Sequence, residues 1–316
     1  MKPFYQPKVI ASGLFAGLLG SLSPSAARAG GTIFETNLFV ETVGEYTTSG
    51  APVNPTLISG LGLPEGIVAL GSDLFVVDFK ANTIGEYTTS GATVNAALIS
   101  GLGFPSGIAL SGSDLFVVNG VLNGTIGEYT TSGMTMNAAL ISGLNIPFGI
   151  AVSGSDLFVT NGGLLPGSGT IGAYTTSGAT VNPALISGSL IDPFGIAVSG
   201  SDLFVANELN GTIGEYTTSG ATVNAALISG LDDPLGVAVS GSDLFVINFA
   251  GDTIGEYTTA GATVNAALIS GLDGPADIAI TGSSVPEAST WVMALTGFAA
   301  LAFAAFRRAR PRAVSA

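Results

Sequence analysis

The sequence predicts an all-β protein: a six-bladed β-propeller of four-stranded repeats, about 42 residues each, closed by pairing of its N- and C-terminal strands. Three observations predict it. A tyrosine returns at Tyr46, Tyr87, Tyr129, Tyr174, Tyr216 and Tyr257, at spacings of 41, 42, 45, 42 and 41 residues. Every period splits into short β-branched pieces punctuated by glycine, with no run of ten or more residues at helical periodicity. The chain also starts and stops out of phase with the repeat, in a complementary way.

One copy shows the elements in order. Strand-sized pieces fall at 194–198, 203–205, 212–217 and 225–229, and four strands fill a propeller blade. Ser199-Gly200-Ser201-Asp202 turns between the first two pieces, 207–211 between the next two, Ser219-Gly220 before the last, and 230–234 leads into the next unit. The first recognisable piece of the chain is Leu38-Phe39-Val40, read as a second strand from its likeness to the repeated Asp-Leu-Phe-Val; the last, 275–280, is a first strand. Circular pairing in a one-plus-three arrangement then completes six blades and hides the open edges. The alternative is an open β-solenoid, whose terminal repeats should be atypical caps; these are not.

Charge is unevenly placed. Between Gly30 and Ser284 there are 21 of the 22 acidic residues against Lys80 alone, a net charge of −20. Such a body lacks the cations that bind phosphate, so nucleic acid is excluded as a partner. It also has neither histidine nor cysteine, which removes the usual nucleophile–base pairs, disulfides and most transition-metal sites. No catalytic residue, cofactor or metal is expected.

The carboxylates have structural readings. Asp73, Asp114, Asp156, Asp202 and Asp243 follow serine at a hairpin turn, where Asx-type capping accounts for them; Asp78, Asn119, Asn161, Asn207 and Asn248 end the next strand and read as turn residues. Glu45, Glu86, Glu128, Glu215 and Glu256 precede the repeated tyrosine and need solvent or hydroxyl partners, since cations are missing. Departures from the repeat are few: Lys80, Ala173, the extra residues from Gly162 to Gly169, and Asp277.

Each repeat opens on Pro-x-Gly-Ile-Ala-Val, as at Pro64/Gly66/Ile67, Pro105/Gly107/Ile108, Pro147/Gly149/Ile150, Pro193/Gly195/Ile196 and Pro234/Gly236/Val237. With the following Asp-Leu-Phe-Val and Gly-Thr-Ile-Gly-Glu-Tyr, this resembles an NHL-type propeller repeat over about residues 38–280. The resemblance implies that the Pro-x-Gly strand lies innermost, along a central channel, and that binding or scaffolding is the commoner role. It makes Asp277, which replaces the glycine in the sixth copy, a channel-lining candidate.

The two ends carry sorting chemistry. Residues 1–29 place Lys2 and Lys8 before an apolar run and end on Ala27-Arg28-Ala29, the order of a cleavable secretory signal; a retained anchor is the alternative. Residues 285–316 place Val285-Pro286-Glu287-Ala288-Ser289 before an uncharged stretch, 291–306, read as a short membrane helix, and then Arg307, Arg308, Arg310 and Arg312 as a stop-transfer cluster that leaves the body outside. This resembles a PEP-CTERM sorting signal, with Ala288 where a second proline is usual. The resemblance implies an exosortase-type sorting enzyme as partner, and a Gram-negative cell surface or exopolysaccharide matrix as destination. An ordinary unprocessed tail anchor is the alternative.

The expectation for residues 30–284 is therefore an exported, non-enzymatic binding or scaffolding propeller, for polysaccharide or a matrix protein of a biofilm. Two alternatives stay open. One is a metal-dependent lactonase-type hydrolase, which near-identical blades argue against because a catalytic site needs different residues from different blades. The other is an adhesin spacer with an open β-solenoid.

Overall fold

Within each repeat the burial pattern follows from position in the blade. The second strand, such as Asp202–Asn207, is packed on both faces and reads as an unbroken apolar run; the fourth, such as Thr222–Ser229, lies at the rim and is exposed along most of its length. The computed structural model describes residues 30–120, 122–162 and 167–282. The expected leader 1–29, the tail 285–316 with its helix 291–306, and residues 163–166 of the fourth-repeat loop lie outside the described residues.

Six antiparallel four-stranded sheets form the blades. Blade 5, for instance, runs from Pro193–Ser199 on the inside through Asp202–Asn207 and Thr212–Thr217 to Thr222–Ser229 outside. Blade 1 takes its inner strand, Pro275–Thr281, from the far end of the described chain and pairs it with Thr32–Asn37, with Ile33 opposite Ile280 and Phe34 opposite Ala279. The ring is thus closed by one strand plus three, and the solenoid reading is set aside.

Six hydrophobic clusters sit between the blades, one at each interface. Both interfaces of blade 1 are filled as the others are: Ile33, Tyr46 and Ile278 pack with Phe245 and Ile247 of blade 6, and Phe34 and Ala279 pack with Ile67, Leu74 and Val76 of blade 2. Each blade contributes one fully buried phenylalanine at the same place: Phe34, Phe75, Phe116, Phe158, Phe204 and Phe245.

The second strand of blade 1 is not Leu38-Phe39-Val40. Those residues form a turn with Phe39 and Val40 exposed, and the strand is Thr32–Asn37. Distance from the repeated tyrosine gives the true register: Ile33 lies thirteen residues before Tyr46, as Leu203 does before Tyr216. The wording of the motif misleads because this copy places Glu35 where the other five carry valine, followed by Thr36, a threonine shared only with Thr160.

At the rim, the glycine of each Ser-Gly or Ala-Gly turn touches the preceding blade. A Cβ on Gly220, whose φ is +93°, would lie 2.9 Å from the Leu185 carbonyl oxygen and side chain; Gly50 meets Leu268 in the same way across the closure. Gly220→Ala is therefore expected to destabilise by about 2–4 kcal/mol, through left-handed strain plus overpacking. Gly200→Ala, with φ +58° and nothing within 4 Å, carries the strain alone and should cost about 1 kcal/mol. Thermal melts of the two variants separate the terms; equal losses would mean that the blade contact contributes nothing.

The exposed outer edge is bent away from pairing. In every blade an asparagine side chain accepts a hydrogen bond from the N–H two residues on, as Asn224 does from Ala226 at 3.1 Å, and the ladder to the third strand shifts register there. Bulged edges of this kind resist edge-to-edge association. Asn224→Val is expected to leave the fold intact and increase self-association, measured by light scattering.

Candidate functional site at the channel mouth

The inner strands stand around a central channel, and their Pro-x-Gly ends form its mouth. The glycines at this ring are forced by crowding. A Cβ on Gly107, Gly149 or Gly195 would lie 2.3 Å from the carbonyl oxygen of the x residue in the next blade. Blade 1 carries Asp277 at that place, where the Asp277 N–H donates to Thr36 Oγ1 at 3.0 Å and that hydroxyl donates to the Glu65 carbonyl at 2.7 Å. Thr160 plays the same part in blade 4, accepting from Gly149 N–H at 2.8 Å and donating to the Phe194 carbonyl at 2.6 Å.

The x position is where the repeats differ most. Around the ring it reads Ala276, Glu65, Ser106, Phe148, Phe194, Leu235, and all six line a cavity with about 580 Å³ of empty space, part of it open to solvent. Phe148 and Phe194 stack, with ring centroids 4.5 Å apart and planes 20° apart. Below, the channel continues between Ile67, Ile108, Ile150, Ile196, Val237 and Ile278.

Asp277, the channel candidate from the sequence, does line the cavity; its Oδ2 accepts from the Ile67 N–H at 3.0 Å. Burial pushes its carboxyl up to about 6. Glu65, which the sequence reading passed over as an x residue, stands beside it, and burial together with the Asp277 charge raises it to about 7. The signal that could have found Glu65 was there: in near-identical repeats, the inner-strand position that changes most in chemical character, from acid to hydroxyl to aromatic, is the one free to be specific.

Loop variation points the same way. The hydrogen bonds that tie second-to-third strand loops to the inter-blade loops, such as Glu208 N–H to the Asp192 carbonyl and Phe249 N–H to the Asp233 carbonyl, gather both loop sets at the mouth end. There the sequences differ in every blade: Leu38 to Glu41, Phe79 to Asn82, Glu208 to Gly211, Phe249 to Asp252. Phe39 with Phe249 and Phe79 with Phe104 add two further ring contacts, each at 5.8 Å. At the opposite end the Gly-Ser-Asp and Thr-Thr-Ser-Gly turns are bonded to one another and scarcely vary.

The other carboxylates are peripheral to the mouth. Asp73, Asp114 and Asp202 accept bonds of 3.3–3.5 Å from the preceding serine hydroxyls on the invariant face, rather than capping the backbone as expected. Asp78 accepts from Gly62 and Ala81 N–H groups, which is a turn role. Glu45, Glu86, Glu128 and Glu215 are partly exposed, whereas Glu256 is buried. One buried acid escaped the sequence reading. Glu35 is wholly enclosed at the seam of blades 6 and 1, accepts from Asn37 Nδ2 at 2.7 Å, and is raised to about 8 by burial.

Among the described residues, no three His, Cys, Asp or Glu side chains gather closely enough to hold a metal ion. The arrangement instead offers a mixed cavity, two carboxyls against an aromatic and aliphatic wall.

Fold and mouth together define a six-bladed propeller whose repeats differ most in character at one mouth of the channel. No family model matches the sequence, and no curated protein matches it. Among solved structures, a chain of the nidogen/laminin complex is similar over 79% of this chain and 98% of its own, at 16% identity and a TM-score of 0.65. A gluconolactonase from Xanthomonas campestris is similar over 72% of this chain and 85% of its own, at 17% identity and a TM-score of 0.59. At such identities the likeness is one of fold, and the fold is shared by a binding protein and an enzyme.

Proposed function

We propose that the chain is an exported, non-enzymatic binding or scaffolding module that takes its ligand at the channel-mouth face. The observation that carries this is the confinement of repeat variation to that face, since selection for a ring alone would let both faces vary alike. Sequence features at the two ends support display at the cell surface or in the extracellular matrix, through a PEP-CTERM-like tail read by an exosortase-type enzyme. They favour a polysaccharide or matrix protein of a biofilm as the partner class. The neighbour from the nidogen/laminin complex supports a propeller used in assembly; the gluconolactonase neighbour supports the rival reading of a hydrolase.

A glycan and matrix-protein binding screen with the full-length chain tests the proposal. Binding should fall about tenfold or more when Phe194 is replaced by alanine, as for a central aromatic anchor, and be unchanged by Ser201→Ala on the invariant face. Metal-dependent lactone turnover that disappears in Asp277→Gly would replace the binding reading with the hydrolase.

A further inference from the structure

We propose that the channel mouth binds an organic cation: a molecule with a protonated or quaternary nitrogen on a flat, apolar body. This rests on the binding reading above and concerns what the cavity itself would hold.

In a ring of six, blade 1 faces blade 4 and blade 2 faces blade 5. Asp277 of blade 1 and Glu65 of blade 2 therefore stand across the channel from Phe148 of blade 4 and Phe194 of blade 5, with Leu235 extending the apolar wall. The two sides ask for different halves of one ligand. The Glu65 carboxyl receives no hydrogen bond from the described residues, and Asp277 is held by backbone N–H groups of Ile67 and Ile278, so neither has a cationic partner. Lys80, the one basic residue between Gly30 and Ser284, is on the surface, 3.6 Å from Glu41.

Two carboxyls this close, in a cavity that weakens water's screening, gain most from a positive charge brought in from outside. A bare metal ion would want a fuller shell of oxygen ligands, and among the described residues no three His, Cys, Asp or Glu side chains gather to begin one. An ammonium group needs only the two carboxyls and Ser106, while its apolar body fills the space against the stacked phenylalanines, whose ring faces also attract cations. Burial raises both carboxyls, and the Asp277 charge raises Glu65 further, so binding of a cation should release protons and tighten as pH rises through 6 to 7.

Isothermal titration of the full-length chain with 2-phenylethylammonium, 2-phenylethanol and phenylacetate tests the proposal. The ammonium should bind, the neutral alcohol about tenfold or more weaker, and the carboxylate weaker still. Glu65→Gln and Asp277→Gly, the latter restoring the residue of the other blades, should each weaken the ammonium about tenfold. Titration at pH 6 in buffers of different ionisation enthalpy should reveal proton release, reduced in both variants. Equal affinity for alcohol and ammonium, no binding of the ammonium at millimolar concentration, or binding indifferent to both substitutions would overturn it. Capture of a glycan at a mouth that ignores ammonium would end this proposal and leave the binding module standing.

Discussion

Deletion of residues 275–281 is expected to abolish the compact monomer. The segment is seven residues long, yet it supplies the inner strand of blade 1 and belongs to two interfaces at once. Without it, Phe34 and Ile33 lose their cross-strand partners Ala279 and Ile280, and the faces of blades 6 and 2 that now cover Ile278 and Ala279 meet water. Loss of one buried isoleucine side chain such as Ile278 costs about 2–5 kcal/mol, and whole domains hold only about 5–15 kcal/mol. The exposed edges of an opened ring add a route to aggregation. Size-exclusion chromatography and calorimetry should show aggregates or a melting point lower by more than ten degrees; a monomer melting where the intact chain does would mean that the ends do not meet. A gentler variant serves as a check. The chain has no cysteine, so Thr32→Cys combined with Thr281→Cys, at paired positions, should oxidise to a bridge within one chain.

Stability is expected to fall as pH rises from about 4.5 to 8, with Glu35 the largest single contributor. Its carboxyl has no solvent exposure, and burial raises its pKa from 4.5 to about 8, with the Asn37 bond opposing only in part. Below pH 4.5 the group is protonated in both folded and unfolded chains. Between 4.5 and 8 only the folded chain holds the proton, so the stabilisation relative to an ionised buried group is progressively lost, by about 5 kcal/mol in total. Glu65 and Asp277 act in the same direction up to about 7 and 6. Denaturation across this range should therefore show the ring most stable in mild acid. Glu35→Val, which restores the residue found at Val76, Val117, Val159, Val205 and Val246, should remove the largest single part of the slope and raise stability at pH 8. A slope unchanged in that variant would place the titrating group elsewhere.

The ring was legible in the sequence because its signal is repeated: period, strand count and the phase of the two ends do not depend on any single residue. What escaped lies in blade 1 and in the variable positions. Thr32–Asn37 was hidden because Glu35 and Thr36 break the apolar wording of the second strand, while Leu38-Phe39-Val40 imitates it; spacing from Tyr46 is the physical guide, since register fixes it and side-chain identity does not. Asp277 stood out as a replaced glycine. Glu65 did not, because the x of Pro-x-Gly has no consensus to depart from, and its closeness to Asp277 exists only once the ring closes.

On the proposed reading, one face of the closed ring recognises the ligand. Diffraction from crystals of the chain soaked with a library of small fragments tests it most directly, because binding hot spots collect fragments whatever the natural ligand is. Fragments should gather at the mouth, with charged nitrogens beside Glu65 and Asp277 and rings against Phe148 and Phe194. A mouth left empty, while fragments settle on the invariant turns or between the outer strands, would contradict it.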